Sequence, residues 1–347
     1  MTPEADVPTL TLGGAFSSPY SMKMRAVLRY RRLPFRWVLR DSPWDDLPDV
    51  PVRIIPVIAF GTDDEGRPTD AMVDSSPQIL RLEEEFDGRS VVPADPAVAF
   101  VDALLEDYAD EWVTKMMYHY RWAYEPDADK AGRLLPLDRD LHADDGALSA
   151  MYDFIVDRQV GRRALVGSTD ANRPVIEACY ERLLDLFQSH LAEHPFWLGD
   201  RPGRVDFALY GQLKPMTWWD PTPVAVAVER APRAVNWVER VDDLSWWEVD
   251  GDAGWATVDT LTPTTRALLE EAGRTYAPFM VANGAALEAG DDEVVCEIDG
   301  QEYRQGPFAY QGKCLRWLRE GYQALDDDAR AAVDDVLAGT GCEQLLP

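Results

Sequence analysis

A serine and a proline near the amino terminus are the first residues that could do chemistry. Ser18 directly before Pro19 predicts an N-cap followed by the first residue of a helix. Free backbone N–H groups and the positive end of the helix dipole stabilise an anion at such a start, and a thiolate is the reactive form of a thiol. The Ser18 hydroxyl could donate to that sulfur, or it could only cap the helix. Ser17, Tyr20 and Tyr30 are the competing hydroxyls.

Two serines argue against one kind of thiol chemistry at this helix. Ser18 and Ser21 occupy the two positions that hold cysteines in a CxxC redox helix. Because neither side chain is a thiol, no mixed disulfide can form there. The sequence therefore predicts activation of a bound thiol rather than disulfide exchange.

A run of basic residues surrounds the predicted helix start. No acid occurs between Asp6 and Asp41, although the whole protein has 62 acidic and 34 basic residues and a net charge of −28. This positive segment favours an anionic ligand. Most of its side chains should pair with acids elsewhere, and Lys23 and Arg25 are the expected exceptions.

The charge and composition of the chain exclude several function classes. An acidic protein repels phosphate backbones and anionic lipid surfaces, so neither nucleic acid nor a membrane is an expected partner. No apolar run reaches the roughly 20 residues of a membrane span, and the start Met1–Asp6 lacks the features of a secretion signal. Four separate cysteines without a CxxC predict reduced thiols. A cytoplasmic location is expected.

The elements that must position these residues change in type along the chain. In the first 95 residues, strand patterns alternate with helical ones in the order βαβ and then ββα. Helical periodicity dominates residues 96–262, and residues 263–347 predict a long helix, a hairpin around Asp299-Gly300 and two final helices. The predicted strands are 9–12, 35–39, 54–60 and 71–73.

A string near the middle of the chain matches a zinc-binding pattern. His190, Glu193 and His194 fit the H-x-x-E-H string of one zinc-peptidase class. The string lies at a helix end directly before Pro195, and no nearby acid-rich helix offers a third ligand. No metal site is therefore predicted.

Four short motifs together resemble those of the glutathione S-transferase family. The helix start Ser18–Arg25 resembles the family's thiol-binding helix, and Ile55-Pro56 resembles its cis-proline step. Asp74-Ser75-Ser76 resembles the acid–serine motif that holds the γ-glutamyl end of glutathione. Gly199–Tyr210 resembles the capping motif of the family's second domain. The four occur in the family's order over residues 8–245.

The resemblance implies an α/β thioredoxin-like domain over residues 1–95, an all-α helical domain over 96–262, and an extra helical and hairpin extension over 263–347. It implies that Ser18 stabilises the thiolate of glutathione, or of a related thiol, which conjugates to an apolar electrophile. A homodimer is implied, and no cofactor beyond glutathione as co-substrate. The implied glutathione-binding residues are Ser17, Tyr20, Lys23, Ile55, Pro56, Asp74, Ser75 and Ser76.

A stripe of large side chains along one predicted helix has two interpretations. Helical spacing of apolar and aromatic residues is typical of a hydrophobic core. The resemblance instead implies that the stripe borders the electrophile pocket between the two domains. Its residues are Tyr108, Trp112, Met116 and Tyr120.

Two positions depart from the family's motifs. Gly203 stands where the family has a capping Ser or Thr, although Asp206 keeps the third helical position. Ile79 follows Asp74 by five residues, where four is usual, so Asp74-Ser75 and Ser75-Ser76 both stay candidates for the acid–serine motif. Together with the long extension, these departures leave an alternative function open, a catalytically inactive binding or assembly module.

Overall fold

The first domain is a mixed four-stranded sheet with two helices. The computed structural model describes residues 9–347, and the Met1–Asp6 start lies outside the described part. The sheet order is β2-β1-β3-β4, with β1 parallel to β2 and antiparallel to β3, and β3 antiparallel to β4. This arrangement confirms the predicted thioredoxin-like fold. The elements are β1 (Leu10–Gly14), α1 (Pro19–Tyr30), β2 (Phe35–Leu39), β3 (Val57–Thr62), β4 (Pro68–Val73) and α2 (Ser75–Glu85).

The register of the sheet brings three connecting segments to one edge. Gly13 of β1 pairs with Val57 of β3, and Val57 pairs with Val73 of β4. The end of β1, the start of β3 and the end of β4 therefore lie side by side. The motifs on the three adjoining segments are Ser18, Ile55-Pro56 and Asp74-Ser75.

Helices form the second domain, as the periodicity predicts. The predicted helix that carries the aromatic stripe is continuous in the structure but contains a wider π-helical turn, Ala109–Val113, between α3 and α4. Helices α5 and α9 were not predicted, because prolines occur within or at the start of each. The helices are α3 (Pro96–Tyr108), α4 (Thr114–Ala123), α5 (Glu125–Arg139), α6 (Asp145–Val160), α7 (Arg173–His190), α8 (Arg204–Lys214), α9 (Pro221–Arg230) and α10 (Pro232–Val241).

The extension has the predicted order of a long helix, a hairpin and two helices. Asp299 and Gly300 form the hairpin turn, and both have positive φ values, 55° and 71°, as a two-residue type I′ turn requires. No helix in the described part of the chain is long and apolar enough to cross a membrane. The elements are α11 (Pro263–Ala289), β5 (Val294–Ile298), β6 (Gln301–Gln305), α12 (Ala309–Ala324) and α13 (Asp327–Leu337).

The extension completes the hydrophobic core of the second domain. Tyr276 of α11 packs edge-on against Tyr108, with ring centroids 6.0 Å apart. Trp112 lies 5.7 Å from Phe279 of α11 and 5.5 Å from Tyr303 of β6. Because these rings are buried together, removal of the extension would expose a large apolar surface.

The glycine at position 203 is explained by a carboxylate from another helix. The Gly203 N–H donates to Asp206 Oδ2 at 2.9 Å, so half of the family's capping arrangement is kept. Asp102 of α3 accepts from the Val205 N–H at 3.0 Å and from Arg204 Nε at 2.8 Å. A Cβ at position 203 would lie 2.7 Å from Asp102 Oδ1. Asp102 thus caps α8 and leaves room only for glycine.

Candidate functional site

The start of α1 has the local structure that the serine–proline pair predicts. Ser18 is the N-cap in extended conformation, and its Oγ accepts from the Ser21 N–H at 3.3 Å. Capping uses a lone pair of the hydroxyl, so its proton stays available to donate to a ligand. Capping and thiolate stabilisation are therefore compatible roles for Ser18.

An arginine from the second domain fixes this helix start. Arg121 of α4 donates through Nη1 to the Ser17 carbonyl at 2.9 Å, and it pairs with the buried Asp220 at 3.0 Å. Burial raises the pKa of Asp220 to about 6, and the Arg121 charge opposes that rise. The guanidinium also lies 4.5 Å from the centre of the Trp219 ring. Sequence reasoning missed Arg121, because no local motif links α4 to the segment before α1.

The segment before β3 has the predicted proline geometry. The Ile55-Pro56 peptide bond is cis. The Pro56 carbonyl accepts from Gln78 Nε2 at 3.1 Å, and Gln78 also donates to the Met72 carbonyl at 2.8 Å. Neither the N–H nor the carbonyl of Ile55 has a hydrogen-bond partner among residues 9–347. Ile55 can therefore offer both backbone groups to a peptide-like ligand.

The turn between β4 and α2 distinguishes the two candidate acid–serine pairs. Asp74 precedes α2 with a φ of 81°, and its side chain does not cap the helix. Ser75 is the first helical residue, and its Oγ accepts from Lys23 Nζ at 3.2 Å. The Ser76 hydroxyl instead donates to Glu106 at 2.9 Å. The arrangement favours Asp74-Ser75 as the acid–serine pair. The Asp74 carboxylate does not cap the helix, and the first N–H groups of α2 are free, so both can contact a ligand.

A tyrosine of the extension reaches this turn. The Tyr310 hydroxyl, at the start of α12, donates to Asp74 Oδ2 at 2.7 Å. The extension therefore contacts the motif that the resemblance assigns to the γ-glutamyl end of glutathione. No sequence motif predicts this contact, since none covers residues 263–347.

Lys23 is not the free cation that the sequence predicts. Its side chain is 1% exposed, and Nζ lies 2.7 Å from Glu106 and 2.6 Å from Asp110. Burial alone would lower the pKa of Lys23, but the two carboxylates outweigh burial and raise it. The expectation of an unpaired Lys23 is wrong, because α3 and the π-helical turn supply one acid each. Arg25 makes no ion pair within the described chain and lies 4.7 Å above the Trp37 ring.

The competing tyrosines have other partners. The Tyr20 hydroxyl donates to the Asp110 carbonyl at 2.8 Å and lies 3.2 Å from Thr114 Oγ1, so its proton is engaged by the second domain. Tyr30 is fully buried, and its ring centroid lies 5.6 Å from that of Phe207. Ser17 is buried, and Arg121 contacts its carbonyl rather than its hydroxyl. A ligand contact by Ser17 or Tyr20 stays a prediction.

The aromatic stripe belongs to the hydrophobic core rather than to a pocket. Its four side chains are at most 3% exposed, because α11 and β6 cover one part and α7 covers another. The prediction that these residues border an open electrophile pocket is wrong. The residues are Tyr108, Trp112, Met116 and Tyr120.

The histidine string has no free nitrogen at its first position. His190 Nδ1 lies 2.7 Å from Thr264 Oγ1, and Nε2 lies 2.9 Å from the Phe196 carbonyl. The ring also stacks on Trp197 with centroids 4.0 Å apart. His190 therefore holds the packing between α7 and α11 and cannot coordinate an ion in this arrangement.

Comparison with known protein families finds a match for each of the first two domains. The model of the glutathione S-transferase N-terminal domain matches residues 12–90, and the model of the C-terminal domain matches residues 148–240. A search of curated proteins found no significant match. The chain is similar to a GST-like protein from Pseudomonas syringae, at 16% identity over 67% of this chain and 66% of that one, with a TM-score of 0.43.

Two further solved structures are similar to this chain to about the same degree. The β-etherase LigF from Sphingobium sp. is 16% identical over 76% of this chain and all of its own, with a TM-score of 0.45. A glutathione transferase from Burkholderia graminis, solved with two glutathione molecules per subunit, is 17% identical over 70% and 90%, with a TM-score of 0.41. On the two domain models and the observed fold, this chain belongs to the glutathione S-transferase family.

Proposed function

We propose that this protein is a transferase that binds glutathione, or a related thiol, and adds its sulfur to an apolar electrophile. The supporting observation is the sheet register, in which Gly13, Val57 and Val73 lie side by side. That register brings three kinds of ligand-binding group to one edge. They are a hydroxyl with a free proton, an unpaired peptide unit, and a carboxylate beside free helix N–H groups.

Each group suits one part of a γ-glutamyl thiol. The Ile55 N–H and carbonyl match the peptide unit around the thiol-bearing residue. The N–H groups at the start of α2 match the terminal carboxylate, and Asp74 matches the terminal ammonium. The Ser18 proton and the dipole of α1 match the thiolate. Lys23 is left out of this proposed site, because buried acids already neutralise it.

The proposed reaction needs little more than a stable thiolate. The thiol loses its proton to water, and the Ser18 hydroxyl donates to the sulfur anion. The sulfur lone pair then forms the new S–C bond, while the leaving group departs with its bonding electrons. Ser18 lowers the pKa of the bound thiol because its hydrogen bond is made to the charged form.

The electrophile would bind beside the helix start. Phe16 is 51% exposed directly before Ser17, and the Trp219 ring packs against Arg121, which contacts the Ser17 carbonyl. These rings offer an apolar surface next to the proposed sulfur position. A cavity of about 610 Å³ is lined only by residues of the second domain, such as Trp237 and Trp247, and has no first-domain wall. It is not the proposed site.

Ser18→Ala tests this proposal, and Ser149→Ala, an exposed serine of α6, is the matched control. The thiolate absorbance of bound glutathione, followed against pH, should show a pKa about one unit higher in Ser18→Ala than in the wild type. Conjugation of an activated aryl halide should fall about tenfold or more at neutral pH. Unchanged pKa and unchanged turnover in Ser18→Ala would remove Ser18 from the mechanism.

A second candidate function is an inactive binding or assembly module. The Tyr310 contact with Asp74 favours it, because the extension then occupies part of the thiol site. Calorimetric titration of the wild type with glutathione separates the two candidates. No heat of binding, together with no turnover of a panel of electrophiles, would support the module.

A further inference from the structure

Four acidic residues lie close together where α3 meets the π-helical turn. Glu106 and Asp110 pair with Lys23. Asp107 and Glu111, by contrast, have no Lys, Arg or His nitrogen within 4.0 Å in the described structure. Two neighbouring carboxylates in this buried region are thus without a neutralising side chain.

A cysteine of the extension completes a compact donor set with these two acids. Ligand atoms of Asp107, Glu111 and Cys314 all lie within 4.8 Å of one another. Glu111 and Cys314 are buried, whereas Asp107 is half-buried and gives the set a side open to water. The Tyr276 hydroxyl donates to Asp107 and fixes its orientation.

The Glu111 carboxylate belongs to this set and has no paired cation. Glu111 is 7% exposed, and the donor beside its carboxylate is the neutral Gln311 amide. Gln311 Nε2 also donates to the Glu111 backbone carbonyl at 3.0 Å. The neighbouring Asp110 Oδ1 is also buried and unpartnered. Buried carboxylates without a paired cation are costly, so the arrangement calls for a positive ligand.

We propose that Asp107, Glu111 and Cys314 bind a divalent transition-metal cation with the preferences of Zn²⁺. A thiolate together with two carboxylates suits a borderline cation, whereas Mg²⁺ and Ca²⁺ take oxygen ligands only. Three protein ligands leave a fourth position for water on the half-buried Asp107 side. Binding converts the Cys314 thiol to a thiolate and releases its proton to solvent.

This site would join the extension to the second domain. Asp107 and Glu111 come from α3 and the π-helical turn, and Cys314 comes from α12. The same α12 carries Tyr310, which contacts Asp74. A bound cation would therefore hold α12 against the proposed thiol site.

The test is a titration of the full, chelator-treated chain with Co²⁺ alone, followed by displacement with Zn²⁺. One equivalent of Co²⁺ should bind and give a thiolate-to-cobalt charge-transfer band. Cys314→Ser should lose that band, and Glu111→Gln should weaken Co²⁺ binding about tenfold or more. Cys342→Ser is the matched control, because Cys342 is equally buried but bonds to the Leu269 carbonyl at 3.2 Å. It should keep the band.

Three results would overturn the proposal. The first is a folded wild-type protein that takes up no stoichiometric Co²⁺ or Zn²⁺, which would mean that protons alone neutralise Asp107 and Glu111. The second is a charge-transfer band that survives in Cys314→Ser. The third is Mg²⁺ binding as tight as Zn²⁺ binding. If Cys314→Ser does not fold by circular dichroism, the wild-type spectrum and the Glu111→Gln affinity still decide the outcome.

Discussion

The Tyr310 hydroxyl donates a 2.7 Å hydrogen bond to Asp74, joining the start of α12 to the turn before α2. The two residues are 236 positions apart, with the whole second domain between them in sequence. Asp74 is also the carboxylate that the proposed function assigns to the ammonium group of a γ-glutamyl thiol. The extension therefore competes with the thiol for one of the oxygens of Asp74.

Tyr310→Phe should strengthen glutathione binding. Loss of the phenol proton frees Asp74 Oδ2 for the ligand's ammonium, a gain of about 1 kcal/mol, or roughly five-fold in Kd. Calorimetry with glutathione measures this change. Tyr322→Phe is the control, because Tyr322 lies on the same helix but bonds to Asp334. A glutathione analogue without the amino group should bind both variants equally, and an equal gain for that analogue would contradict competition at Asp74.

Lys23→Met should destabilise the fold severely. The substitution leaves Glu106 and Asp110 buried without their cation, which costs about 3–5 kcal/mol. Urea denaturation measures the free energy of unfolding. Arg53→Met, which breaks an ion pair with Asp41 whose arginine is 87% exposed, should cost less than about 1 kcal/mol.

A second variant checks the cause of the Lys23 effect. Adding Asp110→Asn to Lys23→Met should recover part of the lost stability, because one uncompensated carboxylate is removed. A double variant as unstable as Lys23→Met alone would indicate that packing of the lysine stem, rather than its charge, is what matters.

Most of the fold can be predicted from the sequence, because the sequence signals that specify it are local. The serine–proline pair, the apolar periodicities and the Asp299-Gly300 turn each specify structure within a few residues. Strand β3 begins at Val57 rather than at residue 54, since Pro56 lacks the N–H needed for strand pairing. Helix α5 was missed because Pro136 lies inside it.

The site was less predictable, because its contacts join distant segments. Nothing near Lys23 in sequence shows that Glu106 will neutralise it. The stripe containing Trp112 has the same spacing whether it borders a pocket or is covered, and only the placement of α11 decides between them. Arg121 and Tyr310 likewise reach the site from helices without a recognisable motif.

Gly203→Ser should destabilise the protein, although it restores the family's usual capping residue. The new Cβ would lie 2.7 Å from Asp102 Oδ1, and Asp102 cannot move freely because Arg204 and Val205 hold it. Such overpacking costs about 1–3 kcal/mol. Gly321→Ser in α12 is the control, since nothing lies within 4 Å of its Cβ position, and better helix propensity should make it neutral or stabilising. Thermal unfolding compares the two, and a stabilised Gly203→Ser would contradict the role of Asp102.

His190 should make stability depend on pH on the acidic side. Burial lowers the pKa of His190 to about 4, against an ordinary value near 6.5. Between these two values the unfolded chain binds a proton that the folded chain does not, so stability falls as pH decreases from about 6.5 to 4. The loss by pH 4 amounts to about 3 kcal/mol.

His190→Gln isolates this contribution, because glutamine can still bond to Thr264 but does not titrate. We expect the variant to be less stable than the wild type at pH 7, since it lacks the stacking on Trp197, and to approach the wild type as pH falls to 4. His142→Gln, at an exposed position, should follow the wild-type curve throughout. Urea unfolding at several pH values measures the difference. A constant gap between His190→Gln and the wild type from pH 7 to pH 4 would show that His190 is not held neutral by burial.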